Sequence, residues 1–441
     1  MRSLAMKLGA ALALGFALPA CNILDVNNPN NLTEGSIEAP TAATALVNGA
    51  QAAVWRGIAV QWLGYHMATD EIVWIGSRDA WGQLDQGFVS NPANEFTDAS
   101  FPTMAQARWL ADRAATILDG HVANTPTTAM KTDQARAYLM AGLIYTVIGE
   151  TQEDFVFSDK TDAGPAIGPT KMSTVLDEAI KKLDKAVTVA TEVGDAEMLT
   201  RALAIRARAK HSRAIWDKVK PSLAAQPLVS SAGASADANA VLARVNADWR
   251  YQMGFSSATL SNYMASEINS RGEQQFDTTT IIQVNRAAPK TILGVKLQDP
   301  IDQAPDKRIL TFLQEWKGST NIGVAGPIYS SLTLTSAKQM HLILAEDELA
   351  KGNTAAFTTH INAVRAVDGA GDYTGQVPAL DMLKHERRAA LFVTGVRLLD
   401  MYRFGAKDAL WQSTSDAFKS PGILLPITCI ERNANPLIPD C

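Results

Sequence analysis

Four charged residues near the C-terminus, Glu386, Arg397, Asp400 and Arg403, stand in the stretch HERRAALFVTGVRLLDMYRFG among Leu, Val, Phe and Met. A carboxylate beside arginines is the raw material of an acid–base site, and equally of a buried ion network. The spacing favours the network. Arg397 and Asp400, and then Asp400 and Arg403, are i,i+3 neighbours on a helix, and charge on so apolar a face requires partners. A second group of residues suits binding. Trp74, Arg78, Asp79 and Trp81 lie close together, with Asn91 and Asn94 following; Trp316 sits between Glu315 and Lys317, and Tyr329 lies in a Gly/Pro/Ser loop. Aromatic faces of this kind offer stacking surfaces, and the neighbouring Arg, Asp and Asn side chains offer hydrogen-bonding groups, to a bound ligand.

Other chemistry is missing its signatures. The six histidines show no HExxH or other metal-ligand spacing, there is no CxxC, and no P-loop, Rossmann glycine fingerprint or G-x-S-x-G elbow occurs. No metal and no cofactor is expected. A glycosidase needs two carboxylates brought from distant parts of a chain, and with 45 Asp and Glu residues spacing does not choose among them. The formal charge of −5, without a basic run, leaves no electrostatic footprint for nucleic acid.

The elements that must position these residues begin after an address. Arg2 and Lys7 precede the short apolar run LGAALALGFAL, which reads as a signal peptide over residues 1–20 and is too short to span a bilayer. Leu18, Ala20 and Cys21 resemble a bacterial lipobox in which Cys21 takes the lipid, and acyl chains there would anchor the chain to a membrane. With Cys21 so used, Cys429 and Cys441 remain, twelve positions apart in an oxidising compartment, and they are expected to pair. Closing so short a loop is worth about 3 kcal/mol in the chain-entropy picture. Residues 21–35, Asn-rich and broken by Pro29, read as a flexible tether.

The ordered domain, 36–441, reads as mainly α. A first helix is expected to stop at Gly57, and 62–101 is an aromatic-rich irregular segment. Four helices follow over about 104–218, the second carrying Ala137, Ala141, Gly142, Tyr145 and Gly149, small residues that admit a close partner. The third has an apolar stripe of Leu176, Ile180, Leu183 and Val187 behind Ser173 as N-cap. This pattern resembles a tetratricopeptide repeat. A further pair lies in about 335–405, turning at Gly352-Asn353 with Phe357, Ile361 and Val364 inward. Between them, 226–334 holds SSAGASADANA, either a linker or a weak helix, and short β-favouring runs separated by Gly, Pro and Asn.

The C-terminal stretch, followed by LLPITCIERNANP, resembles the signature of the SusD/RagB family of outer-membrane nutrient-binding lipoproteins. The matching positions are Glu386, Arg387, Arg388, Gly395, Arg397, Asp400, Arg403, Leu425, Pro426, Ile427, Asn435 and Pro436, while Ala390 and Thr394 stand where the family often has acidic residues. The lipobox, the tether and the repeats follow in the same order. The resemblance implies a single SusD-like domain, a tetratricopeptide-like helical scaffold with loop-rich insertions and a few short strands, whose ligand-facing segments are about 62–101 and 226–334. It implies a binding protein and not an enzyme, lipid-anchored on the outer face of the outer membrane, which captures oligosaccharides or other nutrients and delivers them to a SusC-like TonB-dependent transporter. The repeats alone also suit a lipid-anchored scaffold for envelope assembly, and paired distant carboxylates would suit a secreted glycoside hydrolase. Mass spectrometry of the mature chain is expected to find an acylated Cys21 at its N-terminus; an unmodified Cys21, or cleavage elsewhere, removes the anchor.

Overall fold

The computed structural model describes residues 34–159, 161–220, 225–283 and 291–441. The signal segment 1–20 and Cys21 lie outside the described residues, as does the tether except for its last two positions, which begin a short helical turn, Glu34–Ile37. Helix α1 (Ala43–Met67) runs straight through Gly57, the expected stop. A Cβ at Gly57 would lie 3.1 Å from the Cβ of Ala107, so this glycine serves a helix crossing. Strand β1 (Ile72–Trp74) and helix α2 (Asp79–Asp85) organise much of the segment expected to be irregular. Helix α3 (Glu95–Asn124) begins well before the apolar periodicity from Met104 suggested, because the Asn94 side chain accepts from the Phe96 and Thr97 amides at 3.1 and 3.4 Å.

Next come α4 (Thr128–Thr151), α5 (Ser173–Val193) and α6 (Ala196–Val219), each packed on its predecessor. The small residues of α4 do what their size allows: a Cβ on Gly142 would stand 2.4 Å from Leu183 Cγ, and one on Gly149 2.6 Å from Leu176 Cγ. Helix α5 buries Val175, Leu176, Ala179, Leu183, Ala186 and Val189, with Ile180 and Val187 at the margin. Ser173 is its first helical residue and makes no side-chain cap, in place of the expected N-cap. The turn to α6 uses Gly194 at φ +72° and then Asp195, which caps through the Met198 amide at 2.9 Å.

SSAGASADANA proves to be a helix, α7 (Ala232–Leu242), capped by Ser231. The region beyond it contains β2 (Arg250–Met253), β3 (Gln274–Phe276), β4 (Ile281–Gln283), β5 (Ile292–Val295), α8 (Lys307–Lys317) and β6 (Leu332–Ser336). The strands form three antiparallel pairs, β1 with β3, β2 with β6 and β4 with β5. Helices α9 (Ala337–Ala350) and α10 (Thr354–Val367) make the second repeat-like pair, with Phe357, Ile361 and Val364 fully buried between them and α11 (Ala379–Ala390). After α12 (Arg397–Phe404) the chain returns across the molecule. Leu425 exchanges backbone bonds with Thr151 and Glu153, and the short α13 (Cys429–Ala434) is tied to Pro92 and Asp98. Cys429 and Cys441 are disulfide-bonded, with Cα atoms 5.5 Å apart. Among the described residues no helix is long and apolar enough to cross a membrane.

The close contact at Gly142 makes a sharp test of the packing. Gly142→Val forces its side chain into Leu183 and is expected to lower stability by about 1–3 kcal/mol, read from urea denaturation midpoints; an unchanged midpoint contradicts the packing.

Candidate functional site

The four charged residues of the C-terminal stretch divide among three networks. Arg403 pairs with Asp400 (Nε–Oδ1 2.8 Å) one helical turn away, as the spacing predicted, and its guanidinium also grips Glu346 of α9. Arg387 completes Asp400 from the other side at 2.8 Å, while His211 Nε2 lies 3.1 Å from Glu346 and the Val229 amide donates to it at 3.1 Å. Burial works against the charge of Glu346, but Arg403, His211 and Arg387 outweigh it and hold the carboxyl well below its usual range. Arg397 turns away from Asp400, contrary to the i,i+3 expectation, and makes a two-pronged bond to Asp70 at 2.7 and 2.8 Å. Burial again opposes the charge, yet Arg397 and Arg388 bring Asp70 down to about 2. Glu386 meets none of the other three. It receives Arg365 at 2.7 Å and Arg308, whose guanidinium also holds Asp299 and Asp306.

These are ion networks inside the core, in which each carboxylate is met by at least one arginine. Asp299, Asp306 and His385 stand close enough together to share a metal ion. Arg308 already occupies their midst, bonding both carboxylates and lying 3.1 Å from His385 Nε2, so the cation of that cluster belongs to the chain.

The aromatic candidates meet different fates. Trp81 and Phe96 are buried and stack at 3.6 Å with planes 4° apart, and the Arg78 guanidinium covers Phe96 at 4.1 Å. With one face of Phe96 taken by Trp81, Arg78 occupies the other. Trp81 is therefore the floor beneath Arg78 and no platform for a ligand. Trp316 is likewise buried, its indole donating to Asn269 at 3.1 Å beside Phe276 and Phe312; it lines the inner wall of a cleft of about 390 Å³ with Trp249, Gln252 and Thr333. Trp81 and Trp316 each lie among polar neighbours in sequence, yet the fold packs both rings into the interior. Trp74 is partly buried over Gly82, where a Cβ would come within 2.8 Å of its ring. Asp79 is exposed at the start of α2, and Tyr329 keeps 43% of its surface open beside Ile328 at 38%.

The two loop-rich segments nevertheless come together. Trp74 pairs with Gln274 across β1 and β3. Just before β3, Glu273 accepts from the Ser77 and Arg78 amides at 2.9 and 3.1 Å, which burial opposes but which still lowers its pKa. Gly76 is obligatory there, since its Cβ would sit 2.0 Å from that carboxylate. The clamp sets Arg78, which keeps 31% of its side chain exposed, against Glu95 at 3.1 Å and above Glu267 at 3.9 Å. Glu267 belongs to a π-helical turn, Ser266–Arg271. Burial pushes its carboxyl up, with Arg271 and Arg78 opposing only in part. Burial and then the Glu267 carboxylate raise the hydroxyl of Tyr263, which is part-exposed on the same segment. The loop carrying Tyr329 is hung on that segment by Asn262 and Asn269, which bond Ile328, Ser330 and Pro327 at 2.7–2.9 Å. Tyr263, Glu267 and Glu273 escaped sequence reasoning. The turn signal of Ser270-Arg271-Gly272 was the available clue, and it named no partner.

No family model and no curated protein matches this chain in sequence. Solved structures do. A SusD superfamily protein from Bacteroides thetaiotaomicron VPI-5482 superposes with a TM-score of 0.61 at 12% identity, over 90% of this chain and 98% of that one. Surface glycan-binding protein A from Bacteroides uniformis gives 0.56 at 14% identity, over 89% and 98%. A SusD-like carbohydrate-binding protein from Bacteroides vulgatus ATCC 8482 gives 0.51 at 14%, over 83% of each chain. The fold is SusD-like, a mainly helical scaffold with few short strands.

Near the Asp70 network one carboxyl lacks compensation. Asp408 is buried, and although the Leu410 amide donates to one of its oxygens at 2.8 Å, the other has no hydrogen-bond partner. Burial, helped by Asp277 and Asp70, pushes its pKa from 3.8 up to about 6. A carboxyl raised in the folded state contributes stability below its unfolded pKa and loses it as pH rises through the folded value. Asp408→Asn is therefore expected to be more stable than the parent at pH 7, by up to about 3 kcal/mol, with the difference vanishing towards pH 4. Urea titrations across that range check it; a difference independent of pH refutes the account.

Proposed function

We propose that this chain is a non-enzymatic, surface-held binding protein that captures oligosaccharides and passes them uncleaved to a SusC-like TonB-dependent transporter, anchored to the outer membrane through acyl chains on Cys21. The observation that carries the reading is the SusD-like fold, shared over 83% and 89% of the chain with structures described as a carbohydrate-binding and a glycan-binding protein. The face formed by the two joined segments agrees with it. Tyr329 offers an open aromatic ring for the apolar side of a pyranose, and Arg78, Glu95 and Tyr263 supply donors and acceptors for its hydroxyls. Trp81 and Phe96, stacked below, hold the guanidinium in place, so less side-chain freedom is lost when a ligand binds. The arginines and carboxylates of the C-terminal stretch are engaged in buried ion pairs, most of them with partners elsewhere in the chain, which speaks against a part in acid–base chemistry. Delivery to a transporter follows from this reading: a protein that binds without cleaving must release its ligand to a partner that moves it.

A screen of soluble glycans by affinity electrophoresis, followed by calorimetry on the retained one, tests the proposal. Arg78→Ala and Tyr329→Ala are each expected to weaken binding about tenfold or more, a loss of about 1.4 kcal/mol, with no reducing ends released from the glycan and a large barrel protein copurifying from detergent extracts. Release of sugar product, or binding untouched by both substitutions, overturns it.

A further inference from the structure

The six histidines fall into two kinds. His66, His211 and His385 each meet a buried carboxylate, Glu71 at 2.6 Å, Glu346 at 3.1 Å and Asp306 at 2.8 Å, and His121 meets the Glu38 carbonyl at 2.9 Å. His341 and His360 meet each other instead, Nδ1 to Nδ1 at 3.1 Å, with ring centroids 5.4 Å apart. They face one another from α9 and α10, whose relative placement is fixed by the three-residue turn Lys351–Asn353 and by the buried Leu342, Phe357 and Ile361 between the helices. Both rings are half-buried and so reach solvent at one edge. Among the described residues no carboxylate or carbonyl bonds either Nδ1.

We propose that His341 and His360 form a two-imidazole site for one divalent ion of the zinc, nickel and copper class. An ion about 2.0–2.1 Å from each nitrogen would be seen by two atoms 3.1 Å apart at an angle of about 100°, between the octahedral and tetrahedral values. Imidazole selects these ions over calcium or magnesium, which prefer oxygen. Glu348, two turns along α9 from His341, acts electrostatically on His360, while its carboxylate is held by Lys351 at 3.2 Å and Asn353 at 2.6 Å. The solvent edge supplies the remaining ligands as water. Bound there, the ion clips α9 to α10, and because it favours the folded chain it raises the melting temperature.

The test uses the chain purified without a polyhistidine tag and stripped by a chelator, titrated separately with zinc, nickel and copper salts in a calorimeter and in thermal melts at neutral pH. One ion per chain is expected, with a rise in melting temperature. His341→Ala and His360→Ala should each weaken binding about tenfold or more and remove the thermal shift, while His121→Ala leaves both unchanged. If either alanine variant loses its helical circular dichroism, His360→Gln, at the half-exposed position, replaces it. The proposal falls if the parent chain binds none of the three ions up to roughly millimolar concentration, or if the double variant at 341 and 360 binds as the parent does.

Discussion

Glu346 is the point on which the architecture turns. One carboxylate, fully buried on α9, is met by Arg403 of α12, Arg387 of α11, His211 of α6 and the backbone of Val229. Those groups come from α6, α11, α12 and the connection before α7, so a single charge on α9 specifies how four other parts of the chain approach it. Leaving either arginine without its partner would strand a charge in the core, at a cost of about 3–5 kcal/mol. The apolar faces drive the helices together, but many relative placements would bury them comparably. Far fewer would satisfy Glu346.

The same logic explains the C-terminal stretch. Arg308 gathers Asp299, Asp306 and Glu386, and Arg397 gathers Asp70, so α11 and α12 act as a keystone whose polar side faces into the protein. Around it the glycines are placed for contact. Gly395, at φ +80°, lies against Trp62, where a Cβ would come within 2.4 Å of the indole. A side chain there would strain the backbone and collide with the core at once.

Much of this was legible in the sequence and some was not, for reasons that differ by residue. The helices declared themselves through periodicity, and Gly142 and Gly149 through their size, because both signals are local. That Glu386, Asp400 and Arg403 would be buried and paired was legible from their apolar surroundings. Their partners were not: Glu346, Arg308 and Asp70 lie far away in the chain, and Arg397 preferred a distant aspartate to the near one at i+3. Trp81 and Trp316 misled for the complementary reason. Polar neighbours along a sequence say little about what a fold packs above and below a ring. Of the proposed binding face, Arg78 and Tyr329 could be named in advance, whereas Glu273 and Glu267 acquire meaning only from contacts across nearly two hundred residues.

That separation has a temporal side. Residues 77 and 78 are held by Glu273, 196 and 195 positions later in the chain, and the loop of Tyr329 hangs on Asn262 and Asn269, so the face cannot exist while the chain is still emerging or half-assembled. Contacts of such long reach carry the entropic cost of closing the loop between them. The face is therefore complete only when the fold is, and a chain that has not closed these contacts lacks the juxtaposition of Arg78 with Glu267 and of Tyr329 with its supporting segment altogether.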